Sequence, residues 1–328
     1  MTLLLSDESV REVLDPVVLV DEIEAAIRAE LAEPSVIPGR LNLGHGSTFF
    51  RIMPAMVPGM GMMGLKTFFG GGSLGVRYVI LVASMETGEL QAIVDACYLT
   101  AARTAATSAV AARALGVKSA VIGVLGSGLE AETHVRTFHA LGGVEQVKVF
   151  SPNPTSRERF ALRLREAIGV DVEVCGTAEA ACIGVDHLIT ATNTGYGGPI
   201  ACDASWIGPG THVSAIGSTH PRLREHDPVA LDRADILVLD ADPAQVGEES
   251  GDVRAWIDAG GSLTRTLQLD DLVQELVAVP GEPQDISMFK SVGTALQDLV
   301  AAGVAYRCAV GRDVGHRADD LVMPKTRR

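Results

Sequence analysis

The apolar positions of this chain follow two rhythms, and the chain changes architecture where one gives way to the other. Asp15-Pro16 has the form of an N-cap followed by proline at the first helical position; Val20, Ile23, Ile27 and Leu31 then recur at helical spacing until Pro34. From Arg40 to Ala83, short apolar runs (49–53, 62–69, 78–83) alternate with glycine clusters, which predicts a β-sheet with tight connections. Gly70-Gly71-Gly72 is expected to be a flexible loop, a mobile wall over a site. Strand character returns at 89–95, and Thr100 then opens an alanine-rich helix that ends near Gly116.

Past Lys118, apolar runs of strand length are spaced by helical or loop segments. The run 120–125 meets Gly126-Ser127-Gly128-Leu129-Glu130-Ala131, a helical pattern follows, and a second apolar run fills 147–150. Further runs at 170–174, 186–191, 212–215 and 236–239 complete the pattern of a doubly wound parallel sheet. Residues 288–307 read as one final long helix returning to the first domain. The expected fold class is α/β, with a substrate and dimerisation domain made of 1–116 and 300–328 and a Rossmann domain over 117–299.

The glycine turn carries the most specific chemistry. Between a strand and a helix, Gly126 permits the sharp turn, Gly128 lets backbone approach a pyrophosphate, and Ala131 lets the helix pack close to the strand. The helix N-terminus then offers free N–H groups and partial positive charge to the phosphates. This predicts nicotinamide dinucleotide binding; the competing reading is a purely structural turn. NAD-specific proteins place an acid just past the second strand, where this chain reads Ser151-Pro152-Asn153-Pro154-Thr155-Ser156-Arg157. Small hydroxyls and an arginine suit a 2′-phosphate, so NADPH is favoured and NADH possible, although the same residues also make ordinary turns.

Length and charge narrow the partners. The 328 residues suffice for two domains with a sizeable core. A formal charge of -14 argues against nucleic acid or an anionic membrane as partner, but leaves room for an anionic small molecule in a local cationic pocket. Cys97, Cys175, Cys182, Cys202 and Cys308 are widely spaced with no CxxC pair, which suggests neither a disulfide framework nor a zinc site and fits a reducing cytoplasm. The opening MTLLLSDESVREV lacks a basic stretch and does not read as a signal peptide, and no apolar run approaches the ~18–20 residues that span a bilayer. The expectation is a soluble cytoplasmic protein.

Arg103 is expected in the first turn of the alanine-rich helix, where a cation opposes the helix dipole. It either binds a carboxylate together with the helix N-terminus or makes a surface pair with Asp95. Lys66 interrupts the apolar stretch GMMGLKTFFG, so it snorkels from an edge strand or lines a pocket as proton donor or carboxylate partner. Arg40 reads as a solvated charge. His220 falls past the 212–215 strand, where doubly wound sheets bind ligands, although a structural role is the commoner one for any single histidine. The eight histidines do not cluster at metal-ligand spacing, no metal is expected, and Asp240-Ala241-Asp242 and Glu248-Glu249 read as solvated loop charges.

In chain order, Met53-Pro54-Ala55, Gly64-Leu65-Lys66, Thr87-Gly88, residues 99–106, residues 126–131, Ala191-Thr192-Asn193-Thr194, Ala215-Ile216-Gly217-Ser218, Gly251-Asp252 and residues 289–293 resemble the ornithine cyclodeaminase/mu-crystallin family. The resemblance implies a homodimer whose first domain serves dimerisation and substrate binding and takes back the C-terminal helix. It implies that Arg40, Lys66 and Arg103 hold a substrate carboxylate near the nicotinamide. It also implies that Thr104, Gly128, Leu129, Glu130, Ser151, Thr192, Ile216 and Ser291 contact the cofactor.

One departure bears on the reaction. The family's ornithine cyclodeaminases carry an acid/base aspartate two residues after the strand-closing glycine, where this chain has Thr219. A threonine cannot shuttle a proton near neutral pH as a carboxylate can. The expected activity is therefore NAD(P)H-dependent reduction of a cyclic α-imino acid, Δ1-pyrroline-2-carboxylate or Δ1-piperideine-2-carboxylate. Lys66 would relay a proton, and Thr219 or His220 would orient the ring nitrogen through water. The alternatives are ornithine or lysine cyclodeamination with bound NAD, amino-acid dehydrogenation, and a non-catalytic cofactor-binding role.

Overall fold

Two kinds of strand build the two sheets of the computed structural model, which describes residues 1–278, 281–282, 284–319 and 321–323. The chain divides into two units, Met1–Arg103 with Thr294–Arg328, and Thr104–Gly293. The expected divisions stood at 116/117 and 299/300; the observed ones fall inside the Cys97–Ala114 helix and just before the N-cap of the Ala295–Arg312 helix. Of the expected 300–328 segment, residues 320 and 324–328 lie outside the described residues.

The first unit's sheet contains β1 (Thr2–Leu5), β2 (Leu41–His45), β3 (Thr48–Val57), β4 (Met62–Gly70), β5 (Val76–Ser84) and β6 (Leu90–Asp95). Among the described residues its order is His316–Ala318, β1, β6, β5, β4, β3, β2. The strands β2 to β6 form an antiparallel meander, and β1 joins β6 in parallel. β1 was not predicted, since four residues are too few to establish a period. Gly70-Gly71-Gly72 is not the loose loop expected. Gly70 (φ 144°) is the last residue of β4; a Cβ on it would lie 1.9 Å from the Gly75 carbonyl oxygen, and one on Gly71 2.2 Å from that of Ser47. Backbone pressed this closely on two sides makes a packed strand end.

Two helices start where the local chemistry caps them. Asp15 accepts the N–H groups of Val17 and Val18 at 2.9 and 3.0 Å and opens Pro16–Ala29, which buries Val20, Ile23 and Ile27. Leu31 lies beyond that helix and is exposed. The alanine-rich helix begins at Cys97, three residues earlier than expected, because Asp95 accepts the Cys97 N–H (2.9 Å) and Asp7 that of Tyr98 (2.8 Å). Arg103 is consequently in the second turn, and Asp95 is a cap rather than its partner.

The Ala295–Arg312 helix covers one face of this sheet. Glycines on both sides let it come close: a Cβ on Gly64 would lie 2.0 Å from the Leu81 carbonyl oxygen and 3.0 Å from Leu299 Cδ2, and one on Gly303 2.4 Å from Met62 Cε. Met53, Lys66 and Ile80 are cross-strand partners in a row over β3, β4 and β5, and all three are buried.

The second unit is built from β7 (Val121–Leu125), β8 (Gln146–Phe150), β9 (Asp171–Val174), β10 (His187–Thr190), β11 (His212–Ala215), β12 (Ile236–Leu239), β13 (Thr266–Gln268) and β14 (Ser287–Lys290). All pairings are parallel, in the order β13, β12, β14, β11, β10, β7, β8, β9. Every residue of β10, β11, β12 and β14 is buried, as in a parallel sheet covered on both faces. The strand order reverses between β7 and β10, the position where doubly wound sheets open a crevice for ligands. β14 corrects the reading of 288–307 as one helix: Met288 and Phe289 are fully buried in a central strand, and the helix begins only at Ala295, opened by the Thr294–Gln297 capping box.

Candidate active site

The turn after β7 is tight for a steric reason. Gly126 has φ 119°, donates its N–H to the Phe150 carbonyl at 2.9 Å, and would place a Cβ 2.4 Å from the Ala191 carbonyl oxygen. It is wedged between the carboxyl ends of β8 and β10. Gly128 is constrained differently: it is the N-cap of the Leu129–Leu141 helix, offers no side chain to cap it, and has no atom within 4 Å of where a Cβ would stand. No side chain caps the first turn of that helix, the arrangement that receives an anion. Leu129 and Glu130 are half-buried in this turn, and Ala131 is fully buried against the sheet.

At the end of β8, Ser151 is buried and accepts from the Ser127 hydroxyl at 3.0 Å. Arg157 donates to the Ser151 carbonyl at 3.1 Å and lies 5.2 Å over the Phe150 ring. Asn153 uses its side chain as the N-cap of the Pro154–Ile168 helix, accepting the Ser156 N–H at 3.1 Å. The loops after β10, β11 and β14 hold the remaining residues. The Thr192 hydroxyl donates to Glu225 (2.8 Å) and that of Ser291 to Asp240 (2.6 Å), while Ile216 is buried. Asp240 also accepts the N–H groups of Val292 and Gly293, both at 2.9 Å. It is therefore a buried clasp on the loop after β14 and not a solvated charge; Asp242 caps the Pro243–Glu249 helix. Thr219 is half-buried, and the half-buried His220 packs its ring 4.7 Å from that of Tyr196 while its Nδ1 accepts the Arg222 N–H.

The first unit gathers charge under the Ala295–Arg312 helix. Lys66 Nζ donates to Asp298 Oδ1 at 3.0 Å, and Arg103 Nε donates to the same oxygen at 2.9 Å. Arg103 Nη1 donates to Gln297 Oε1 at 3.1 Å, and the rings of Phe68 and Tyr78 each stand 5.5 Å from Lys66 Nζ. Lys66 is 2% exposed and Arg103 6%, so neither snorkels to water, and β4 is an interior strand. Burial pushes the Asp298 carboxyl upward, but Lys66 and Arg103 together outweigh it and hold it below the usual carboxylate range. Asp298 Oδ2 accepts no hydrogen bond among the described residues. Arg40, half-buried, stands one residue before β2; because Leu41 pairs with Ile52, it falls in the row of Met53 and Lys66.

Sequence reasoning had singled out Lys66 and Arg103 but not the acid that joins them. Asp298 stands among apolar residues of its helix, and such a lone acid is itself a signal of a buried ionic partner. Glu225, Asp240 and Lys290 were missed as site elements in the same way. Thr104, the residue after Arg103, is buried and opens the second unit.

Residues 2–313 match the model of a family described as the ornithine cyclodeaminase/mu-crystallin family. Ketimine reductase mu-crystallin of Rattus norvegicus is 31% identical over 265 residues, covering 79% of this chain and 80% of that protein. Delta(1)-pyrroline-2-carboxylate reductase of Thermococcus litoralis, solved in complex with NADH and L-proline, superposes with a TM-score of 0.90 at 25% identity, covering 97% of this chain and 100% of that one. An archaeal alanine dehydrogenase, solved as a dimer with bound NAD, gives 0.88 at 26% identity, covering 98% and 99%.

Proposed function

The chain belongs to the ornithine cyclodeaminase/mu-crystallin family, and from that premise we propose that it is an NAD(P)H-dependent reductase of a cyclic α-imino acid. The observation that carries this reading is the sharing of one carboxylate by two buried cations. Lys66 and Arg103 both donate to Asp298 Oδ1, so two cationic side chains converge on one buried point of the first unit. Two converging cationic donors, one of them a guanidinium fork, are the geometry that receives a carboxylate. Arg103 and Lys66 bind that carboxylate, with Arg40 in the same row of the sheet, and the bond to the imine carbon is thereby fixed in direction. Asp298 Oδ2 is left to accept the N–H of a protonated imine. A cyclic imine that arrives protonated needs no strong acid, so Thr219 suffices where a cyclodeaminase requires an aspartate. Hydride addition to the protonated imine gives the secondary amine directly, and Lys66 donates the proton that converts this amine to the ammonium product.

The second unit supplies the dinucleotide site. The Gly126–Gly128 turn and the first N–H groups of the Leu129–Leu141 helix would hold the pyrophosphate. Ser127, Ser151 and Arg157, with no acid at the end of β8, suit the 2′-phosphate of NADPH. When bound, the cofactor supplies the hydride. The protein works as a cytoplasmic homodimer: Leu41, Leu43 and Phe50 are exposed on one face of the β2–β3 hairpin, an apolar surface that a second copy would cover. Among the described residues no helix is long and apolar enough to cross a membrane.

The test is absorbance of NADPH, and separately of NADH, on adding Δ1-pyrroline-2-carboxylate or Δ1-piperideine-2-carboxylate. Oxidation that disappears in Arg103→Ala is the expected result. Ammonia released from ornithine or lysine without net cofactor change would contradict it and assign a cyclodeaminase.

A further inference from the structure

Glu225 is buried in the second unit where no sequence motif marked it. Its Oε1 accepts the Thr192 N–H (2.7 Å) and hydroxyl (2.8 Å), and its Oε2 accepts the Gly217 N–H (2.7 Å) and the Thr190 hydroxyl (3.0 Å). Thr192 lies in the loop after β10 and Gly217 in the loop after β11, so one carboxylate ties neighbouring loops through a backbone N–H from each. The fit is close: a Cβ on Gly217 would stand 2.4 Å from Glu225 Oε1 and 2.5 Å from the Thr192 carbonyl oxygen. Both loops leave the carboxyl edge of the sheet, and β10 borders the point where its strand order reverses.

We propose that Glu225 is a positioning residue for the dinucleotide: ionised, it holds the loops after β10 and β11 in the binding arrangement, and taking up a proton releases one of them. The inference rests on the dinucleotide reading above. A carboxylate accepts four donors, whereas a carboxylic acid commits one oxygen to its own proton and leaves an N–H without its acceptor. Four titratable groups face this cluster. Asp252 Oδ1 accepts the N–H groups of Glu225 (2.8 Å) and His226 (3.1 Å). Lys290 Nζ stands 3.7 Å from Asp252 Oδ2 and donates to the Ala215 carbonyl at 3.0 Å. His226 Nε2 is 3.0 Å from the Thr190 hydroxyl; burial lowers its pKa, but Cys202 and Asp252 outweigh that and raise it. Cys202 itself is pushed up, by Cys182 and by burial. Burial raises Glu225 to about 7, with Lys290 opposing and Asp252 adding.

The experiment is a fluorescence titration of NADH binding between pH 6 and 8, beside the thermal midpoint of the ligand-free protein over the same range. NADH is the probe because a phosphate monoester such as the 2′-phosphate titrates near 6 itself. If binding requires ionised Glu225 with a midpoint of about 7, affinity falls roughly tenfold from pH 8 to 6. The ligand-free protein should meanwhile become more stable, since its folded state binds the proton more tightly than the unfolded chain; a purely structural role would move both quantities together. Glu225→Gln should bind NADH weakly at pH 8 and lack the slope, and if it fails to fold, the opposed slopes of the unsubstituted protein carry the test. Flat affinity in the unsubstituted protein, or an unchanged slope in Glu225→Gln, overturns the positioning role and leaves the dinucleotide reading intact. No NADH binding at any pH overturns both.

Discussion

The two buried charge clusters use the same ingredients and end in opposite states. In the first unit Lys66 and Arg103 share Asp298, and its carboxyl is held low. In the second unit Glu225 and Asp252 share Lys290, whose ammonium stands 3.7 Å from Asp252, and burial lifts Glu225 to about 7. Both carboxyls are buried, so the sign of their charged neighbours decides the outcome. A buried carboxyl that accepts from two cationic donors stays ionised, whereas one whose neighbours include a second carboxylate retains a proton near neutral pH.

The comparison breaks most sharply at Arg103. Without its guanidinium, the site loses the forked donor that holds a substrate carboxylate in two hydrogen bonds. Steady-state rates should show kcat/KM for the cyclic imino acid falling at least about 10²-fold in Arg103→Ala, the scale on which a preorganised donor acts. Asp298→Asn does the reverse, leaving two buried cations without their shared anion. Urea denaturation should report a loss of about 3–5 kcal/mol, the cost of breaking a buried pair from one side.

Acidity separates the clusters by sign. Asp298, lowered from 3.8, contributes stability above its ordinary range and loses it as pH falls through the folded value. Glu225, raised from 4.5 to about 7, stabilises the fold below its ordinary value, and that contribution is lost as pH rises through 7. The Glu225 component is of order 3 kcal/mol between pH 4 and 8 and should vanish in Glu225→Gln, measured as the pH dependence of ligand-free unfolding. The smallest effect is expected at Arg157, whose guanidinium donates to the Ser151 carbonyl at the end of β8. Arg157→Ala should lower the NADPH-to-NADH preference about tenfold, roughly 1.4 kcal/mol, in parallel Kd measurements.

Much of this arrangement was legible along the chain. The β7–turn–helix–β8 unit, the strands β11 and β12 and the cap at Asp15 follow from local pattern, because each is decided by residues within one turn or one strand. β14 was not legible, since a short run buried on both faces has no period to distinguish it from the start of the next helix. The acids were hidden for a different reason. Asp298 meets Lys66 across 232 positions and Arg103 across 195, so its partners exist only once the Ala295–Arg312 helix lies on the sheet. Arg103 and Lys66 stood out because cations are rare in apolar stretches, and the same reasoning applied to acids would have flagged Asp298 and Asp240.

The central claim is that the converging donors Lys66 and Arg103 recognise a carboxylate. Calorimetry in the presence of NADP⁺ with L-proline and L-pipecolate, each beside its carboxamide, tests this most directly. The acids should bind, the amides should bind at least about tenfold more weakly, and Arg103→Ala should erase the difference. Equal binding of acid and amide would contradict the account.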